Sequence, residues 1–117
     1  MTNHKDLPYL NHILDYINDI EESISGLNKS EFSSDKDVKE SNIRRIEIIG
    51  EAVKNLSSEV KEEYKETEWS KIASMRDRIA HKYFDVDIDI IWDVIETYIP
   101  TLKKQIIKIK KDLEKSE

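Results

Sequence analysis

Arg76, Asp77, His81 and Tyr83 stand within one short stretch, "SMRDRIAHKYFD", at residues 74–85. A histidine and an arginine at this spacing suit one reaction in particular. RNA carries its own nucleophile, the 2′-hydroxyl, so a ribonuclease needs a base to deprotonate it and a cation at the phosphate. His81 can serve as that base and Arg76 can steady the charge that builds on the phosphate oxygens. On spacing alone, a lone histidine near a helix end is more commonly a capping or surface group. Both readings stand at this point.

Helical geometry sharpens the choice. Asp77 and His81 are four residues apart and share a helix face, so the carboxylate can hold one ring nitrogen and leave the other for proton transfer. Arg76 and Tyr83, seven apart, also share a face. Arg76 and His81 lie about 140° apart on an ideal helix of 3.6 residues per turn. They converge if the helix loosens near His81, if the long arginine swings round, or if a second subunit completes the site.

Other ionisable groups are weaker candidates. Asp85, Asp87, Asp89 and Glu96 fit positions one, three, five and twelve of a calcium loop, but position six is Ile90, where the sharp turn needs glycine. Acids at a helix start, favoured by its dipole, account for them better. His4 and His12 have no carboxylate or histidine at ligand spacing and are read as solvent-facing. No metal site is expected, and the absence of cysteine excludes disulfides, thiolate ligands and cysteine nucleophiles.

The 117 residues carry 25 acidic and 19 basic side chains, a formal net charge of −6. Such a balance argues against a protein that coats nucleic acid through a broad basic surface. The basic groups are nevertheless clustered: Lys71, Arg76, Arg78 and Lys82 surround the motif, and "KKQIIKIKK" holds five lysines over residues 103–111. Arg78 and Lys82 are the natural candidates for contacts to an RNA backbone. With no apolar run long enough for a leader or a membrane span, a single cytoplasmic domain over residues 1–117, without membrane association, is expected.

Few breakers and long periodic apolar stretches predict an all-α, up-and-down bundle of four main helices plus a short one. The first runs from Leu7 to Gly26, capped by Asp6, with Leu10, Ile13, Leu14, Ile17, Ile20, Ile24 and Leu27 as its stripe. "NKSEFSSDKD" reads as a polar connection, and Ser34 with Asp37 signals the start of the second helix, Asp35 to Leu56. Gly50 lies inside it; a mid-helix glycine costs about 1 kcal/mol against alanine, so a close helix crossing, at the dimer contact or within the chain, is expected there. A short helix spans Ser57 to Lys65. A third main helix leads from Thr67 into the motif, anchored by Trp69, Ile72 and Ile79. Asp85 or Asp87 caps the fourth, which Pro100 should kink.

Taken together, "IEIIGEAVKNLSSEV" and "EWSKIASMRDRIAHKYFDVDIDIIWDVIETYIPTL" resemble the HepT-like branch of the HEPN superfamily. The shared signature is R-x4-H-x-Y, here Arg76, His81 and Tyr83, with Gly50–Ala52, Trp69 and "IIWDV" in support. The resemblance implies a HEPN-like homodimer, the toxin of a type VII-like toxin–antitoxin pair, whose paired motifs form a metal-independent RNase site acting on tRNA or mRNA. Arg76 and His81 would be catalytic. The following residue, commonly asparagine in relatives and Asp77 here, would assist. Tyr83 matches the tyrosine that a partner minimal nucleotidyltransferase antitoxin modifies with AMP, so ATP would be used by the partner and no cofactor by this chain. The competing reading is a non-catalytic HEPN module that binds a nucleotide or a nucleotidyltransferase.

Overall fold

A computed structural model describes residues 4–81 and 87–115, the side chains of residues 4 and 79–81 excepted. A 3-10 turn at His4–Asp6 leads into α1 (Leu7–Ile24), followed by α2 (Lys29–Ser34), α3 (Lys36–Lys54), α4 (Ser58–Glu63) and α5 (Trp69–His81). After residue 87 come α6 (Ile88–Asp93), a π-helical turn (Val94–Tyr98) and α7 (Ile99–Lys115). No strand occurs among the described residues, and the expected all-α bundle is what forms. α3 lies between α1 and α5, and α1 packs in turn on α7.

Each long helix buries one stripe. Leu10, Ile13, Ile17 and Ile20 of α1 meet Ile46, Ile49 and Val53 of α3 and Leu102, Ile106 and Ile109 of α7 in one core, all essentially inaccessible to water. α1 ends as its sequence suggests: Ser25 is the C-cap and Gly26 follows with φ of 79°, a conformation that glycine adopts without a steric penalty.

Four expectations need correction. "NKSEFSSDKD" is not merely a connection, because it contains α2. Asn28 and Glu31 form a reciprocal capping box (2.8 and 2.9 Å), and Phe32 is fully buried with its ring 5.1 Å from that of Trp92. α3 is capped by Asp35, which accepts from the Val38 amide at 3.1 Å, and not by Ser34. Asp6 makes no cap on α1. Its buried carboxylate accepts instead from the amide (2.8 Å) and hydroxyl (2.7 Å) of Ser57, whose side chain caps α4. Finally, Pro100 does not simply kink a helix. A proline lacks the N–H and its ring crowds the carbonyl one turn back; the backbone widens ahead of it, and the Ile99 amide bonds to Val94 five residues earlier.

The start of the motif helix is fixed by neighbours. Its first residue, Trp69, donates from Nε1 to the Tyr64 carbonyl at 3.1 Å, and the Tyr98 hydroxyl donates to the Glu68 carbonyl at 2.7 Å. Burial, together with the Glu68 charge, pushes the Tyr98 phenol above its usual range, so it remains the donor this bond requires. Ile72 and Met75 anchor the following turns in the core.

Candidate active site

α5 crosses α3 at Gly50, which is buried within the chain and so serves an internal crossing. A Cβ at Gly50 would overlap the Cβ of Arg76 and come within 3.0 Å of both Arg76 Cγ and the Ile72 carbonyl oxygen. The missing methyl group is therefore the space in which the base of the Arg76 side chain sits. Glycine is required here for close approach, not for an unusual φ.

From that crossing the Arg76 guanidinium extends along α3. Nη2 pairs with Glu51 at 3.3 Å and Nη1 with Asp77 at 3.2 Å, while Nε is buried without a hydrogen-bond partner among the described residues. The side chain retains 29% of its exposure, enough to meet a ligand. Asp77 Oδ1 also accepts from Lys54 Nζ at 2.6 Å. The hydrogen bond from Lys54 is the main reason the Asp77 carboxyl is held below its usual range; Arg76 adds to it, and partial desolvation opposes it. The negative charge of Asp77 is thus compensated by two cations.

Because that pKa is lowered in the fold, the stabilisation from this pairing is present above the ordinary carboxylate range and is lost as pH falls through the lowered value. Removing the lysine should move the titration back. In Lys54→Ala, the Asp77 carboxyl, followed by NMR across an acid titration, is expected to protonate at a higher pH than in the parent. An unchanged midpoint would show that Lys54 does not hold it.

His81 closes α5, which is α-helical to that residue, so the backbone does not loosen before it. The His81 side chain lies outside the described residues, as do Lys82, Tyr83 and Asp85 entirely. Arg78 is exposed on the outer face of α5. Asp87 caps α6 by accepting from the Asp89 amide, and Asp89 pairs with Lys29, which gives two of the four acids of the calcium-like spacing another task. Among the described residues, no three histidine or acidic side chains are grouped to hold a metal ion. Nor is any helix there long and apolar enough to cross a membrane.

Sequence spacing missed Glu51 and Lys54. The signal was present: positions 47, 50, 51 and 54 share one helix face, so a crossing at Gly50 brings Glu47, Glu51 and Lys54 toward the partner helix. It also missed the cleft on which Arg76 opens, lined by Tyr9 and His12 of α1 and by Arg44 and Glu51 of α3. His12 is exposed, as expected, with its ring edge-on to Tyr16 at 6.2 Å.

Comparison with known proteins places this geometry in context. The family model described as "Ribonuclease HepT-like" matches residues 13–109. A protein of Methanocaldococcus jannaschii named "Gamma-glutamylcyclotransferase and putative RNase" is 45% identical over 93% of this chain, which spans only 49% of that relative's length. A "Putative RNase" of Caldanaerobacter subterraneus subsp. tengcongensis is 42% identical over 87% of this chain and 91% of its own length. A "Probable ribonuclease HepT" of Thermococcus cleftensis is 39% identical, covering 92% and 96%. No solved structure matches the chain.

Proposed function

This chain belongs to the ribonuclease HepT-like family, so its enzyme class is that of the RNases, and from that premise we propose a metal-independent cleavage of RNA by its own 2′-hydroxyl. His81 takes the 2′-hydroxyl proton, the resulting oxygen attacks the adjacent phosphorus, and the bond to the 5′-oxygen breaks. A proton from a second histidine or from water completes the leaving group, and a 2′,3′-cyclic phosphate remains. Arg76 neutralises the charge on the non-bridging oxygens during the attack.

The observation that carries this reading is the position of Arg76. A glycine makes room for its base, and its guanidinium opens on a cleft while held by two carboxylates that a phosphate can replace. Helical backbone through His81 keeps that residue about 140° away from Arg76 around α5. This supports a homodimer in which Arg76 of one protomer works with His81 of its partner. In the same reading the chain is a toxin held in check by a minimal nucleotidyltransferase, which transfers AMP from ATP to Tyr83 and so places bulk and negative charge where RNA must enter.

The test uses the purified full chain and an oligoribonucleotide. Cleavage is expected to persist in a chelator and to leave a cyclic phosphate, and His81→Ala is expected to fold normally without cleaving. An alanine variant that cuts at the parental rate would remove His81 from the mechanism.

A further inference from the structure

Phosphate chemistry at Arg76 leaves unused the cleft beside it, a cavity of about 220 Å³ between α1, α3 and α5. Its walls bring together an aromatic ring, an imidazole and two guanidiniums, from Tyr9, His12, Arg44 and Arg76. Tyr9 keeps 36% of its surface exposed, the one large apolar side chain so placed among the described residues. It lies three residues before His12, on the same face of α1. Drug-sized ligands typically occupy about 300–1,000 Å³, so this cavity suits something smaller, such as a single nucleotide.

Both guanidiniums are occupied in the free protein by carboxylates of α3. Arg44 Nη1 pairs with Glu47 at 2.9 Å and Arg76 Nη2 with Glu51 at 3.3 Å. A carboxylate on a guanidinium stands where a phosphate oxygen would bind, because the fork of donors serves either anion. Arg76 Nε, buried without an acceptor among the described residues, gives the side chain a further reason to rearrange toward a better one.

We propose that this cleft seats one nucleotide of the RNA beside the scissile phosphate. Its base stacks on Tyr9, its phosphate lies between Arg44 and Arg76, and Glu51 is the internal competitor it displaces. That the nucleotide is part of an RNA substrate rests on the cleavage reading above; binding of a nucleotide does not.

The experiment titrates the purified chain with adenosine 3′-monophosphate, observed by NMR, with inorganic phosphate as control. The nucleotide is expected to shift the Tyr9 and His12 ring signals, whereas inorganic phosphate should leave Tyr9 in place. Tyr9→Ala should weaken binding about tenfold, within the range measured for a lost base–aromatic stack, and Tyr9→Phe should recover most of that loss. Glu51→Gln should tighten binding of both ligands. Because Tyr9 is exposed, its replacement leaves the core filled. Tyr9→Ala binding as tightly as the parent, or nucleotide shifts confined to the lysines of α7, would overturn the proposal. Glu51→Gln without a gain would remove the competitor. A parent chain that binds the nucleotide here yet cleaves no RNA would instead overturn the catalytic reading alone.

Discussion

Arg76→Ala is expected to slow RNA cleavage by about 10²–10³-fold, the usual loss when a single preorganised donor is taken from a developing oxyanion. The cost to stability should be small. The ion pairs of Arg76 with Glu51 and Asp77 are partly exposed, and such pairs contribute about 0–1 kcal/mol. The Cβ that packs on Gly50 is retained by alanine, so the α3–α5 crossing survives. Thermal unfolding and single-turnover cleavage measured together distinguish the outcomes. Slow cleavage at a parental Tm places Arg76 at the reacting phosphate; undiminished cleavage rules it out. Arg76→Lys should recover only part of the rate, since an ammonium keeps the charge but loses the planar fork.

Gly50→Ala should destabilise the fold, contrary to what helix propensity predicts. In an exposed helix interior the change gains about 1 kcal/mol. Here the added methyl group meets the first carbons of Arg76 and the backbone of α5. Neither is the free end of a flexible side chain, so the helices must separate. Overpacking of this kind typically costs about 1–3 kcal/mol. The same displacement moves Arg76 relative to Glu51 and the cleft, so activity should fall more steeply than stability, well below the midpoint of denaturation. A Gly50→Ala chain with parental Tm and parental cleavage would show that the crossing has room to give. Gly50→Ser, of nearly equal size, should behave like the alanine variant.

Much of this was legible in the sequence, for identifiable reasons. The stripes of α1, α3 and α7 follow the helical period closely, and burial of Leu10, Ile13, Ile17 and Ile20 required nothing from elsewhere in the chain. α2 was obscured because Phe32 is its single buried residue and gives no period; the capping pair Asn28 and Glu31 was the better sign. Asp6 misled because an acid before a helix resembles a cap, whereas its partner lies 51 residues away. The site divides in the same way. Arg76 and Asp77 adjoin in sequence and were found together. Glu51 and Lys54 reach them from another helix, and only the crossing marked by Gly50 could have indicated it. Tyr9 and Arg44 join the cleft through packing of α1 on α3, which no local spacing encodes.

The bond from Asp6 to Ser57 has a topological consequence. It closes residues 6–57 into a ring whose ends are latched at one point, with α1 and α3 as its two long sides. Closing so long a loop adds only a logarithmic entropy cost, and the ring then holds its own apolar seam between α1 and α3. The helix that carries Arg76 lies outside residues 6–57 in sequence and packs on α3 of this frame. Movement of α5 that opens or reshapes the cleft is therefore resisted by its seam with α3 and by its tethers to Tyr64 and Tyr98, while the latched frame stays whole. The cleft lies along the joint itself: the frame supplies Tyr9, His12, Arg44 and Glu51, and the motif helix adds Arg76 where it faces a glycine.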